Sequence, residues 1–370
     1  MNNQVLIDIL KHFPEVGQVD EILPLTSGLI NRTYKVKTAD SASPDYILQC
    51  INHNVFTDVP LLQRNIELVT AHIRKKLIDR NETDIDRKVL RFLKADNGSS
   101  FFTLHSSPEQ SYWRVCAFIP DSVTLDVVTP ETSYLVGLKF GEFQAMLADI
   151  PEQLGETIPD FHNVEFRYQQ LQDAVAADKA GRLKSVQELV DALTDEFPKM
   201  CFAENDFRAG KLCKRICHCD TKVSNMLFDK AGNVLCVIDL DTTMPSFVFS
   251  DFGDFLRSAA NTAPEDEPDL NKVSFRFEIF QSFSKGYIEA TQSFLTPNEK
   301  AGLPYSVALF PYMQAVRFFT DYLNGDTYYH IDYLEHNLVR TKAQLKLYYE
   351  VSKALPDMSE YINSLPVSHD

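Results

Sequence analysis

The chain has 370 residues, 44% of them hydrophobic, enough to bury the core of two domains or of one bilobal fold. Its 36 Lys and Arg against 52 Asp and Glu leave a net charge of −16, which argues against general attraction to a nucleic-acid backbone or an anionic membrane. Seven cysteines, an odd number, and an N-terminus without a basic leader and apolar run lead us to expect reduced thiols and a cytoplasmic protein, and no uncharged apolar run reaches the about 18 residues of a membrane span.

Val5, Leu6, Ile9 and Leu10 are spaced for an amphipathic helix at the start of the chain. Runs rich in β-branched and aromatic residues predict strands over 33–38, 46–51, 88–93 and 112–119, and apolar residues at 62, 66, 69, 73 and 77 predict a helix over 61–77. FIPDSVTLD, with Pro120 and Asp121, reads as a connector, so residues 1–119 are expected to form a small β-rich lobe and 120–370 a larger helical one. Leu135, Leu138, Phe143, Met146 and Leu147 predict one helix of the second lobe, and Leu334, Leu338, Leu345 and Tyr348 another. Between them NMLFD and VLCVIDLD, separated by Lys230-Ala231-Gly232-Asn233, carry a hairpin signal. The acidic stretch APEDEPD reads as a solvated loop.

Cys213, Cys217, His218 and Cys219 invite a zinc site. Adjacent His218 and Cys219 point to opposite faces of an extended stretch, however, and no second cysteine pair stands at zinc-finger spacing, so buried free thiols are expected.

Residues 218–241, HCDTKVSNMLFDKAGNVLCVIDLD, are the informative segment. His218, Asp220, Lys222 and Asn225 spell H-x-D-x-K-x-x-N, and the hairpin that follows ends in Asp239. This resembles the catalytic loop of the protein-kinase-like superfamily. The resemblance implies that Asp220 takes the proton of an acceptor hydroxyl, that Lys222 lies beside the γ-phosphate of ATP, and that Asn225 and Asp239 bind Mg2+, with Asp241 adding a second carboxylate. In-line phosphoryl transfer needs both kinds of group, one to position the acceptor and one to neutralise the phosphates.

Asp251-Phe252-Gly253 and Ala263-Pro264-Glu265 imitate the DFG and APE of a protein kinase. Asp251 stands thirty-one residues beyond Asp220 and does not close the hairpin, whereas Asp239 does. Asp251 matches instead the aspartate that braces the loop in small-molecule kinases, and His218 is structural likewise. Cys219 replaces the arginine of H-R-D, so nothing here would receive an activation-loop phosphate.

More narrowly, LTSGLINRTYKV, YILQCINHNVF, IPDFHNVEFR, HCDTKVSN with VIDLD, and RFFTDYLNGDTYYH, in that order, resemble the N-acetylhexosamine 1-kinases of the aminoglycoside phosphotransferase and choline kinase superfamily. That resemblance implies an α+β, bilobal protein-kinase-like fold and a small-molecule amino-sugar substrate, with neither nucleic acid nor membrane as partner; a monomer is compatible with it. Asn31, Arg317 and Tyr328 would hold the sugar, a guanidinium and a flat ring being suited to an acetamido sugar. Ser27, Gly28 and Gln49 would face the nucleotide, although the Gly-rich loop is reduced to Gly28 and Gln49 stands where a lysine is usual. A kinase for an amino alcohol or aminoglycoside is the rival reading, with Tyr305, Tyr312, Tyr322, Tyr328 and Tyr329 available to cage a quaternary amine. A catalytically dead nucleotide-binding module is opposed by Asp220, Asn225 and Asp239 standing together.

Overall fold

A computed structural model describes residues 2–25, 30–40, 43–106, 109–125 and 127–366. These fall into two units, one of Met1–Thr124, Asp149–Pro159 and Met226–Met244, the other of Leu125–Ala148, Asp160–Asn225 and Pro245–Asp370. The hairpin, Met226–Phe228 paired antiparallel with Val234–Val237, therefore groups with the N-terminal residues, and the chain is not divided by one cut near residue 120.

In the first unit, α1 (Asn3–Leu10), β1 (Val19–Leu25), β2 (Arg32–Thr38), β3 (Tyr46–Ile51), α2 (Val59–Asp79), β4 (Phe102–Ser106) and β5 (Glu109–Ala117) build a five-stranded antiparallel sheet of order β1-β2-β3-β5-β4 and two helices. Side chains alternate across a strand, so Leu48, Cys50, Trp113 and Val115 share one face, and Leu6, Ile9 and Leu10 of α1 join them in its core. Gln49 and Arg114, cross-strand partners in the same register, alternate to the opposite face. The α2 stripe Leu62, Ile66, Val69, Ile73 and Leu77 is buried, and Asp58 caps the helix by accepting the Leu61 N–H at 2.9 Å.

The strand expected over 88–93 does not form. Its edge of β5 is shared: β4 pairs with the first part, leaving only a bridge from Phe92 to Cys116, flanked by Leu93 N–H to Val115 O at 2.8 Å and Ala117 N–H to Arg91 O at 2.9 Å.

The second unit carries α3 (Pro130–Leu147), α4 (Val164–Ala177), α5 (Gln187–Met200), α6 (Phe202–Arg208), α7 (Phe249–Ala259), α8 (Phe277–Thr291), α9 (Pro297–Asn324) and α10 (His336–Ser364). Glycines let α3 and α8 approach closely: a Cβ on Gly137 would run into the Phe283 carbonyl, and one on Gly286 into that of Tyr134. Phe252 and Phe255 of α7 pack on Phe280, Phe283 and Tyr287 of α8. No helix among the described residues is long and apolar enough to cross a membrane.

Candidate active site

The segment His218–Asn225 follows a short strand, Arg215–Cys217, in the second unit. Cys219 takes a left-handed conformation at φ 62°, which turns two successive N–H groups toward one carboxylate. Asp251 Oδ2 accepts the His218 N–H at 2.9 Å and Oδ1 accepts that of Cys219 at 2.8 Å, while Thr221 Oγ1 donates to the Asp251 carbonyl at 2.7 Å. Gln144 Nε2 of α3 donates to Oδ2 at 2.7 Å, and Tyr287 of α8 donates its hydroxyl to Gln144 Oε1. Asp251 is fully buried, and burial raises its pKa against the hydrogen bonds from the two N–H groups and Gln144.

His218 is buried between the edges of Phe140 and Phe143, and its Nδ1 accepts the Asp220 N–H at 3.3 Å, which assigns the ring proton to Nε2. Asp220 Oδ2 receives Lys222 Nζ at 3.0 Å and Asn225 Nδ2 at 3.1 Å. Asn225 Nδ2 also donates to the Asp220 carbonyl at 2.8 Å. Asp220 Oδ1 and Asn225 Oδ1 have no hydrogen-bond partner among the described residues, so one carboxylate oxygen and one amide oxygen keep their lone pairs available.

The expected decoy lies on α7. Asp251-Phe252-Gly253 is helical, and a Cβ on Gly253 would collide with the Ser306 carbonyl of α9. Glu265 of the APE look-alike pairs with Arg257 at 2.5 Å. One turn beyond Asp251, Asp254 is also buried, its pKa pushed up to about 6 by burial against the charge of Arg257, with smaller effects from Asp220 and Lys222.

Arg317 lies over two rings, 5.3 Å from the Phe161 centroid and 5.7 Å from that of Tyr329, and donates to Gln314 Oε1 at 3.1 Å. Arg167 donates twice to the Phe161 carbonyl, at 3.1 and 3.0 Å. Burial and the neighbouring Arg317 charge hold the Arg167 pKa down to about 10, and desolvation with both guanidiniums depresses that of half-buried His162. Neither arginine is in a salt bridge among the described residues. Tyr328 is exposed, and a buried carboxylate holds its loop: Asp321 Oδ1 accepts the N–H of Thr327 and of Tyr328, each at 2.9 Å, and Oδ2 that of Tyr329 at 2.9 Å. The other tyrosines suggested for a cage serve the core. Tyr312 is fully buried and donates to the Leu193 carbonyl at 2.7 Å, Tyr305 donates to the Met200 carbonyl at 2.6 Å, and Tyr322 is buried under Arg182.

In the first unit, Asp239 is exposed, at φ 61°, just after the second hairpin strand. Asp241 does not present a free carboxylate to a metal: its Oδ1 lies 2.6 Å from Arg114 Nη2, and its Oδ2 accepts from Asn31 Nδ2 at 2.6 Å. Asn31, expected beside a sugar, uses both ends of its amide within this unit, since its Oδ1 accepts the Asn52 N–H at 2.9 Å. Gln49 Oε1 accepts Arg114 Nε at 3.0 Å, and its Nε2 donates to Thr33 Oγ1 at 3.3 Å, so its amide binds protein at both ends. Ser27 and Gly28 lie outside the described residues. No cluster of three His, Cys, Asp or Glu side chains suited to one metal ion occurs among the described residues. The amide oxygen of Asn225, and separately the carboxylate of Asp239, are each hard oxygen donors of the kind Mg2+ takes.

Arg114, Gln144, Arg167 and Asp254 were not singled out from sequence. Asp254 carried a signal, an acid three residues from Asp251 on one helix face, and so did Arg114, a cation inside the apolar run YWRVCAF.

A family model described as APH, phosphotransferase enzyme family, matches residues 21–277. Among solved structures, amicoumacin kinase hAmiN in complex with AMP-PNP, Ca2+ and Ami is similar over 100% of this chain and 96% of its own, at 12% identity and a TM-score of 0.57. The microcompartment-associated aminopropanol kinase is similar over 99% and 100%, at 15% identity and a TM-score of 0.58. For the choline kinase from Cryptosporidium parvum Iowa II the figures are 96% and 97%, 15% and 0.53. At such identities these likenesses speak for the fold, a β-sheet N-terminal region followed by a helical C-terminal one. The family match adds the chemistry: the chain belongs to the APH phosphotransferase enzyme family, as a small-molecule kinase.

Proposed function

We propose that the chain transfers the γ-phosphoryl group of ATP to the anomeric hydroxyl of an N-acetylhexosamine, giving the sugar 1-phosphate. The observation that carries this choice of acceptor is the pair Arg167 and Arg317, two guanidiniums without salt bridges, set among Phe161, Tyr328 and Tyr329. Such a surface offers donors to the carbonyl and hydroxyl oxygens of a neutral sugar and flat faces to its ring. A cationic acceptor, such as the amine alcohols named for two of the similar structures, would meet like charge there, and Tyr312 and Tyr322 are buried in the core.

In this reading Asp220 Oδ1 orients the acceptor hydroxyl and takes its proton, while Lys222 and Asn225 hold Oδ2 and so fix the carboxylate plane. Lys222 also offers its charge to the γ-phosphoryl group. Asn225 and Asp239 would hold Mg2+, and when bound the ion neutralises charge on the phosphates. Asp251 acts from behind, keeping the His218–Cys219 backbone in place.

The reading is tested by incubating the protein with Mg2+-ATP and N-acetylglucosamine, N-acetylgalactosamine, choline, aminopropanol and kanamycin in turn, with products identified by mass. A hexosamine phosphate is expected, and EDTA should abolish it. Phosphocholine or a phosphorylated aminopropanol would replace this acceptor by an amino alcohol.

A further inference from the structure

Arg114 of β5 lies across from Gln49 of β3 and is only 2% exposed. Its Nε donates to Gln49 Oε1 at 3.0 Å and its Nη2 lies 2.6 Å from Asp241 Oδ1. Gln49 is tied in turn to Thr33 of β2, and the second Asp241 oxygen is tied through Asn31 to the N–H of Asn52, just past β3. Arg114 of β5 thus reaches one buried carboxylate, while Gln49 of β3 and Thr33 of β2 hold that arginine from behind.

That carboxylate stands two residues beyond Asp239, inside the single 3-10 turn Leu240–Thr242 that Asp239 precedes. Asp239 stands at φ 61°, in the left-handed region that Asp enters more readily than most non-glycine residues. The hairpin strand lies on one side of it and the anchored Asp241 on the other. A buried ion pair adds little net stability over an apolar pair of the same shape, but it admits few geometries.

We propose that Arg114 is a positioning residue: held by Gln49 and paired with Asp241, it sets the direction in which the exposed Asp239 carboxylate is presented to the metal. The inference rests on the reading of Asp239 as a metal ligand. Gln49 then has a definite task, since its amide oxygen accepts from the guanidinium. A lysine at the same position would set a second cation against Arg114 and leave Nε without its acceptor.

The test is Mn2+ binding in the presence of a non-hydrolysable ATP analogue, followed by electron paramagnetic resonance, with a thermal melt of each protein. Loss of a group that orients a metal ligand costs about 10- to 100-fold in metal affinity. Gln49→Lys, which installs the residue usual at this place, should therefore weaken Mn2+ binding by about tenfold or more. Arg114→Met/Asp241→Asn leaves neither charge unpaired; it should keep the wild-type melting temperature and still bind Mn2+ about tenfold more weakly. Should that protein fail to fold, Arg114→Lys decides, because it keeps the charge and loses the fork that spans Gln49 and Asp241; it should show the same loss. Wild-type Mn2+ affinity in Gln49→Lys, or in the folded double variant, or in Arg114→Lys where that variant decides, overturns the proposal. Failure of the wild-type protein to bind Mn2+ would instead defeat the reading of Asp239 on which the proposal rests.

Discussion

Asp251 accepts the backbone N–H of Cys219 at 2.8 Å, and Cys219 stands at φ 62°, immediately before Asp220. A buried carboxylate on α7 is thereby joined to the backbone turn that aims the proposed base. Asp251→Asn places an amide where two N–H groups seek acceptors, and hydrogen bonds to a charged group contribute about 1.5–3 kcal/mol each. We expect a fall in melting temperature of roughly 5–10 °C together with a lower rate. An unchanged melt combined with lost Mg2+ dependence would move the metal to Asp251.

Asp220→Ala removes the proposed base. A positioned base contributes about 10²–10⁴-fold, so kcat should fall by that factor. The KM for ATP should barely change, because the Asp220 carboxylate is assigned to the acceptor. Steady-state kinetics in both substrates check this, and a variant that keeps most of its kcat would refute the role.

Arg317 is assigned to the acceptor and to no step of the chemistry. Arg317→Ala should raise the KM for the sugar by roughly 10- to 100-fold, as expected for loss of a charge-assisted hydrogen bond, with kcat changed much less. Arg317→Lys should recover little of this, since a point charge replaces a planar fork stacked between Phe161 and Tyr329. An effect confined to the melting temperature would reduce Arg317 to a helix tie.

Glu204 of α6 gives a pH prediction. Burial pushes its carboxyl up from 4.5 to about 7, and its Oε2 is buried without a partner among the described residues. The folded state therefore binds this proton more tightly than the unfolded chain does, so the group's contribution to stability declines as pH rises from about 4.5 to about 7 and is constant above. The shift corresponds to a penalty of about 3 kcal/mol at pH 8. Glu204→Gln should raise the melting temperature at pH 8 and much less at pH 5. An equal effect at both pH values would contradict this origin.

The proposed site was legible where its residues lie close along the chain. His218, Asp220, Lys222 and Asn225 interact over two to five residues, so the segment that carries the family resemblance also holds its own hydrogen-bond partners. Asp251 was legible from its order in the chain, although its contacts with the loop span more than thirty residues. Asp241 and Asn31 were misread because the partners that occupy them, Arg114 and each other, are separated by 127 and 210 residues and depend on strand register. Tyr312 illustrates the same limit within a helix: on α9 it looks like a ring free to cage an amine, and only the packing shows it buried against Leu193. Local pattern reports a loop's chemistry, whereas the buried partner of a polar side chain is set by tertiary structure.

Phosphorus NMR of the product formed from Mg2+-ATP and an N-acetylhexosamine tests the central claim most directly, because it reads both the acceptor and the atom phosphorylated. Asp220 can serve only the hydroxyl held in line with the γ-phosphorus, so a single anomer of the sugar 1-phosphate is expected. A sugar 6-phosphate, or no transfer to the sugar while choline or aminopropanol is phosphorylated, would contradict it.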